Sequence, residues 1–234
     1  MTSIDIVLPV YNEESMLSKS LETLRAFLVA NTISDYEIVI ADNASTDNTL
    51  AVAKQLALKS HHVTWIHLDQ KGRGRALRKA WLESTADVMC YMDIDLSTEL
   101  TALSKMLEAF KNGCDVVYGS RLSKNSTVQR TFEREILSRG YNLLVKLFLR
   151  TTFSDAQCGF KGITRKAAHE LIPLIEDNNW FFDTELLVLA ERKGYMLCEI
   201  PVLWRDDGTR QSKVKIAGTC WDYIKNIKRL RSMV

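Results

Sequence analysis

Asp87-Val88-Met89-Cys90-Tyr91-Met92-Asp93-Ile94-Asp95-Leu96-Ser97 sets an unbroken apolar run against two carboxylates that flank a single residue. The run reads as a buried strand, and it has companions. Short apolar segments at 4–8, 37–41, 63–68, 87–92 and 115–118 alternate with helical patterns at 14–28, 47–58, 76–84 and 100–110. Buried strands alternating with amphipathic helices predict an α/β fold, a mostly parallel sheet with helices on both faces. Ligands in such sheets sit at the carboxyl ends of the strands. The residues that follow each strand therefore carry the functional reading.

The second half is less regular. Residues 132–150 read as a helix with a wide apolar face, 161–164 as a short strand, 184–192 as a helix closed by Gly194, and 196–204 as a strand region around Pro201. A last helix starts near Ile216. The predicted division is a main domain over 1–204, with halves at about 1–121 and 122–204, followed by a basic segment and amphipathic helix over 205–234.

With 234 residues, 46% hydrophobic and 26% charged, the chain can bury a real core, and disorder, collagen and coiled coil are poor readings. Net charge is +2 but uneven: 121–150 and 205–234 each carry +5, and the remainder carries −8. Two basic segments on an acidic body fit a surface that meets phosphates or an anionic membrane, and equally fit solvated helix faces. The five cysteines are scattered without CxxC spacing, so neither a zinc site nor a disulfide framework is expected, and a reducing compartment is the default. The start of the chain lacks the basic region of a signal peptide. No apolar run approaches the ~20 residues needed to span a bilayer.

The first strand ends in Pro9-Val10-Tyr11-Asn12-Glu13-Glu14. Pro9 is expected to stop the ladder. Tyr11 and Glu13 could meet a base or ribose, while Asn12 could equally cap the next helix. The second strand ends in Ala41-Asp42-Asn43-Ala44-Ser45-Thr46-Asp47-Asn48-Thr49, where Asp42 could accept from an imide N–H or sugar hydroxyls and Asp47 could cap. After the third comes Lys71-Gly72-Arg73-Gly74-Arg75, whose glycines allow close backbone approach to an anion. Asp93 and Asp95 are costly to bury unpaired and suit a divalent cation bridging a diphosphate; helix capping is the other reading. His61 and His62 read as surface, His67 and His169 as structural, and Trp81 as packing.

These four strand ends, LPVYNEE (8–14), ADNASTDNT (41–49), KGRGRALR (71–78) and Asp93-Ile94-Asp95, together resemble glycosyltransferase family 2, the GT-A nucleotide-sugar transferases. Further stretches resemble its polyprenyl-phosphate branch of dolichyl-phosphate β-glucosyltransferases and mannose synthases. They are Gly119-Ser120-Arg121, Arg134 with Ser138-Arg139-Gly140-Tyr141-Asn142, Ser154-Asp155-Ala156-Gln157-Cys158-Gly159-Phe160-Lys161, and Trp180-Phe181-Phe182-Asp183-Thr184-Glu185. The chain departs from the pattern at Asn43-Ala44, where Asp-Gly is frequent, and at Ser97, where mannose synthases often carry Gln.

The resemblance implies a GT-A, Rossmann-like fold with amphipathic interfacial helices. It implies inverting transfer of a hexose, leaning to glucose from UDP-glucose, onto a polyprenyl or dolichyl monophosphate; GDP-mannose as donor and a hydroxyl acceptor stay open. It assigns Asp93 and Asp95 to Mg²⁺ or Mn²⁺ and the diphosphate, Pro9, Tyr11, Glu13 and Asp42 to the nucleoside, and Arg73 to donor phosphates. Arg121, Arg134 and Ser138, joined by Arg210 and Lys213, would hold the acceptor phosphate. Asp155 and Gln157 would shape the sugar site, and Asp183 and Glu185 would touch sugar hydroxyls, unless Asp183 only caps its helix. The implied partners are a nucleotide sugar, a lipid phosphate and a membrane surface, with no nucleic acid. The implied location is peripheral, on the cytoplasmic leaflet, through 132–150 and 216–230, where packing on the core or on a partner subunit is the other reading of each helix.

Overall fold

The computed structural model describes residues 2–205 and 216–232, with side chains of 216–221 left aside. Seven strands form one sheet: β1 (Ile4–Val10), β2 (Tyr36–Asn43), β3 (Val63–Leu68), β4 (Val88–Met92), β5 (Val116–Ser120), β7 (Phe160–Thr164) and β8 (Leu197–Pro201). Their order is β3-β2-β1-β4-β7-β5-β8. All pairs are parallel except those of β7, which runs antiparallel between β4 and β5. A separate parallel pair joins β6 (Thr127–Gln129) to β9 (Leu203–Arg205). β6 and a seven-residue helix, α6 (Arg165–Leu171), are elements that the sequence pattern did not reveal. Both are too short to show a period.

The helices of the first half are α1 (Leu17–Ala30), α2 (Thr49–Leu58), α3 (Arg73–Glu83) and α4 (Thr101–Lys111). Those of the second are α5 (Phe132–Leu149), α7 (Phe182–Arg192) and α8 (Ile216–Ser232). Side chains alternate along the strands and divide the core in two. Ile4, Ile6, Leu8 and Val10 of β1 join Ile38 and Ile40 under α1, α2 and α4. Val7, Val39, Met89 and Tyr91 point the other way, to α3, α6, α7 and the inner residues of α5 and α8. Trp81 lies fully buried in this second layer, as read.

Three expectations need correction. Pro9 does not stop the ladder: β1 stays paired with β2 through Val10↔Asp42, while its pairing with β4 ends at Val7↔Tyr91. Asn12 is no helix cap, because α1 begins five residues on. Cysteine spacing also misled. Cys114 and Cys198 form a disulfide, because parallel pairing sets Val117 beside Cys198 and brings together segments 84 residues apart.

Order β2-β1-β4 makes β1 the point where the chain reverses its winding, and ligands of open α/β sheets bind there. Thus the ends of β1, β2 and β4 lie side by side. At the far end of β5, the disulfide should add about 2–4 kcal/mol by restricting the unfolded chain. Dithiothreitol is expected to lower the melting temperature by roughly 5–10 °C. Cys198→Ser should melt at the same lowered temperature and show no further response to reductant. An unchanged melt would contradict the bond.

Candidate active site

Arg73 opens α3 and is almost wholly buried. Its Nη1 donates to Asp183 Oδ2 at 2.6 Å and its Nη2 to Asp93 Oδ1 at 3.1 Å. The guanidinium lies over the rings of Tyr91 and Trp180, at 4.6 and 5.0 Å from their centroids. Asp183 takes a second bond from the Tyr91 hydroxyl at 2.6 Å, and Lys161 Nζ stands 3.7 Å away while donating to the carbonyl of Cys158. Burial works against the charge on Asp183, yet Lys161, Arg73 and Tyr91 outweigh it and hold its carboxyl below the usual range. Asp183 is therefore an interior anchor for Arg73 and not the cap of α7, which is Phe181.

Asp93 follows β4 and is partly exposed. Burial pushes its carboxyl above the usual range; Arg73 opposes this and Asp95 adds to it. Its N–H bonds the carbonyl of Gly159 at 3.2 Å. A methyl group on residue 159 would stand 1.8 Å from Asp93 Oδ2, so only glycine fits against this carboxylate. Asp95 Oδ1 accepts from the Ser97 amide at 3.0 Å, and Leu96 between them is left-handed at φ 52°. A leucine there is strained, as turns beside functional groups often are. Beside Asp95 opens a cavity of about 350 Å³, lined by Asp95, Leu96, Ser97, Glu99, Leu203 and Arg205. That lies within the range of about 300–1,000 Å³ common for small-molecule sites. Among the described residues, no three His, Cys, Asp or Glu side chains converge as a metal shell.

The first two strand ends are braced against each other. Asn12, left-handed at φ 53°, accepts from the Thr46 amide at 2.8 Å, and its own N–H donates to Ser45 Oγ at 3.0 Å. The Glu13 amide donates to Thr49 Oγ1 at 2.7 Å, and Glu14 accepts from the Asn48 amide at 2.9 Å. Asp47 accepts from the Thr49 amide at 2.9 Å, at the start of α2. Asn43, a departure from the family pattern, accepts from the Gly72 amide at 2.6 Å, and Ala44 is left-handed at φ 59°, which explains the usual glycine. Asp42 is fully buried. Its Oδ2 is held by His67 Nδ1 at 2.6 Å, and its Oδ1 has no hydrogen-bond partner. His67, read from the sequence as structural, thus belongs to this site. Lys71 Nζ lies 3.3 Å over the Tyr11 ring, and Pro9 is half-buried one residue before Val10.

Gly74 of the 71–75 stretch also has a packing role. A methyl on residue 74 would meet Phe182 at 2.7 Å, so Gly74 lets α3 close on α7. Arg121 grips Asp155 through Nε at 2.8 Å and Nη2 at 2.9 Å, and its amide bonds the same carboxylate. Burial opposes ionisation of Asp155, but Arg121 outweighs it and brings the carboxyl down to about 2. Gln157 Nε2 donates to Thr184 Oγ1 at 2.9 Å and its Oε1 accepts from Tyr223 of α8 at 3.1 Å. Glu185 is turned away from the cluster. Its oxygens accept from the amides of Glu176 and Asp177 and from Arg229 at 2.8 Å. Arg134 and Ser138 lie on α5; the Ser138 hydroxyl is buried without a hydrogen-bond partner. Arg210 and Lys213 fall outside the described residues.

Lys161, Tyr91 and Trp180 complete the site without having been assigned to it. A lysine inside the apolar strand Phe160–Thr164 was the available signal, since such a charge needs a buried partner. Gly159→Ala must displace the Asp93 carboxylate or the loop carrying residue 159. Turnover of the nucleotide-sugar donor that the resemblance implies is expected to fall at least about 100-fold, the range of a misplaced reacting group, with the fold retained by circular dichroism. The Arg121–Asp155 pair predicts an acid signature. A carboxyl depressed from ~3.9 to about 2 stabilises the fold above its unfolded value, and the contribution fades as pH falls toward 2. Asp155→Asn should cost about 3–5 kcal/mol at pH 7 by urea unfolding, and the gap to the parent should narrow below pH 4.

The Glycosyl transferase family 2 model matches residues 5–172. The chain is 38% identical to glycosyltransferase AglD of Haloferax volcanii over 88% of its own length, and spans 33% of that protein. It is 30% identical to dolichyl-phosphate β-glucosyltransferase of Drosophila melanogaster and 31% identical to the human one, covering 88% and 87% of itself and 68% and 67% of them. In structure it is similar to glucosyl-3-phosphoglycerate synthase of Mycobacterium tuberculosis bound to UDP. The TM-score is 0.73 at 16% identity, covering 99% of this chain and 80% of that one. A Pyrobaculum calidifontis mannosyltransferase with GDP-Man and Mn²⁺ aligns at TM-score 0.55 and 18% identity, over 94% of this chain and 59% of that one. With the family match over most of its length, these strand ends and this sheet order, the chain belongs to glycosyltransferase family 2 and is a glycosyltransferase of GT-A-like fold.

Proposed function

We propose that this enzyme transfers one hexose, glucose from UDP-glucose, to a polyprenyl or dolichyl monophosphate at a membrane surface, with inversion at the sugar. The relatives named dolichyl-phosphate β-glucosyltransferase support the acceptor class and the sugar. The observation that carries the reading is α5. One face packs inward through Asn142, Val145 and Leu149. The opposite face exposes Phe132, Ile136, Leu137, Leu143, Leu144, Leu147 and Phe148, with Phe132 77% and Leu147 67% exposed. A soluble surface rarely shows so continuous an apolar stripe. Arg139 and Lys146 run along one border of it, the arrangement of an interfacial helix on anionic lipid. The inner side of the same helix carries Arg134 and Ser138, so a lipid tail and its phosphate would meet one element. α8 follows the other reading of its face: Ile227 and Leu230 are buried against the core.

A phosphate acceptor is anionic near neutral pH, with a second pKa of ~6, and needs no general base. A hydroxyl acceptor would need one. Asp183 and Glu185, the carboxylates assigned to the sugar hydroxyls, are enclosed by Arg73, Tyr91 and Arg229 and so are not free to act as one. This favours the lipid phosphate. Asp93 and Asp95 offer hard oxygens, and the raised carboxyl of Asp93 beside Asp95 is relieved by positive charge. That chemistry fits Mg²⁺ or Mn²⁺, with the donor diphosphate completing the shell. When bound, the cation would neutralise the leaving diphosphate. Arg73, fixed by Asp183, would hold Asp93 in line, and Arg121, Arg134 and Ser138 would align the acceptor. Asp155 and Gln157 would border the sugar.

Among the described residues no helix is long and apolar enough to cross a membrane. We place the protein peripherally on a membrane surface. The cytoplasmic leaflet is the side the resemblance implies, and the Cys114–Cys198 bond, unusual for a reducing compartment, does not support it.

The test is a panel of UDP- and GDP-sugars with Mg²⁺ or Mn²⁺ and a short polyprenyl phosphate, read by mass of the lipid product. Lipid-linked glucose from UDP-glucose is expected, falling at least about 100-fold in Asp95→Ala. Flotation with anionic vesicles should carry the protein up and fail for Leu143→Glu with Leu147→Glu. Product from a sugar alcohol alone would overturn the acceptor reading.

A further inference from the structure

The two oxygens of Asp42 live in different circumstances. Oδ2 is held by His67 Nδ1 at 2.6 Å. Oδ1 is buried and has no donor among the described residues. An ionised carboxylate only accepts, so His67 carries its hydrogen on Nδ1. Its Nε2 lies 3.6 Å from Oδ1 of the exposed Asp69, too far for a hydrogen bond. The parallel register sets Asp42 opposite Val10 on one side and His67 on the other, one residue before Tyr11. The unmet oxygen therefore stands at the carboxyl end of β2, among the residues read as the nucleoside site. A buried acceptor left without a donor is costly, and a bound molecule that brings one N–H would remove that cost.

We propose that His67 determines which base this site accepts: by engaging one oxygen of Asp42 it leaves the other as the one oxygen without a donor, which suits the lone imide N–H of uracil. The proposal rests on the nucleotide-sugar reading above and deepens it. Guanine presents two parallel donors, N1–H and the exocyclic amine, which a carboxylate takes best with both oxygens. With His67 in place, the second guanine donor faces the Nδ1–H, donor against donor. Adenine and cytosine carry a bare ring nitrogen where uracil has its N3–H, acceptor against acceptor at that position. Uracil alone among the four offers one N–H between two carbonyls. Base choice would thus be set by a residue on β3 that does not have to touch the base.

Calorimetric titration of the full chain with UDP, N3-methyl-UDP and GDP, all with Mn²⁺, tests this. The unmodified protein is expected to bind UDP at least about tenfold more tightly than either of the others, the effect of one hydrogen bond to a charged group. His67→Phe should narrow the UDP-to-GDP ratio by a similar factor, and His67→Gln, whose amide can donate to Oδ2, should restore it. Melting curves report whether each variant folds. Equal binding of UDP and N3-methyl-UDP by the unmodified protein overturns the proposal, and needs no variant. So does a folded His67→Phe with an unchanged ratio. Binding of no nucleotide at all would overturn the nucleotide-sugar reading itself, a result distinct from both.

Discussion

The guanidinium of Arg73 is the tie on which the site depends. It enters at the first turn of α3, where Gly74 lets the helix close on Phe182, and it spans from Asp183 on α7 to Asp93 after β4. Three elements from the two halves of the chain are thereby fixed through one planar cation. Its burial is tolerable because two carboxylates and two aromatic faces surround it. Lys161 adds a second buried cation to the same carboxylate. Such a cluster is expensive to desolvate, and an apolar substitute of equal volume could serve stability as well. What the charges add is orientation: Asp93 is pressed between Arg73 and the bare Cα of Gly159, so its carboxylate has little room to turn.

The strand-end motifs divide by task. In the first two loops, Asn12, Glu14, Ser45, Thr46, Asp47 and Thr49 bond one another. Their polarity serves the brace between β1 and β2, and the positive φ of Asn12 and Ala44 is sustained by it. Asp42 lies outside that brace, with one oxygen still open to a donor. A motif of nine polar-rich residues thus contains one carboxylate whose bonding is incomplete, and this is the part that chemistry with a ligand can use.

The strand ends were legible because period and burial fix them locally. An apolar run followed by turn residues needs no knowledge of its neighbours, and so Asp42, Asp93 and Asp95 could be placed from the sequence. Partners were not legible. Arg73 and Asp183 are 110 positions apart, and only the crossing of α3 over the sheet toward α7 makes them meet. His67 could be paired with Asp42 only through the β2–β3 register. The antiparallel insertion of β7 between β4 and β5 leaves no trace in a five-residue strand, yet it delivers Gly159 to Asp93. Cysteines scattered without motif spacing likewise concealed the pair that parallel β5 and β8 bring together. Asp183 and Glu185 looked alike in sequence as acidic residues of one helical turn. Their fates differ because one faces Arg73 beneath the sheet end and the other faces Arg229 of α8.

α8 gives the second half its coherence. Tyr223 reaches Gln157, Arg229 reaches Glu185, and Asn226 reaches Asp177, so one helix touches the loop before β7 and both ends of the segment leading into α7. Tyr141 of α5 packs on Tyr223 with ring centroids 4.9 Å apart and bonds Thr184. The apolar face of α5 is thereby joined to the Gln157 loop through two aromatic rings and a hydroxyl. A displacement of α5 by a docking surface cannot leave Gln157 untouched, because interiors packed at crystal-like density shift together or not at all. The same loop carries Asp155 to Arg121 and Gly159 to Asp93. The proposed acceptor side and donor side therefore share one short stretch, 155–159, and the geometry of each is conditional on the other.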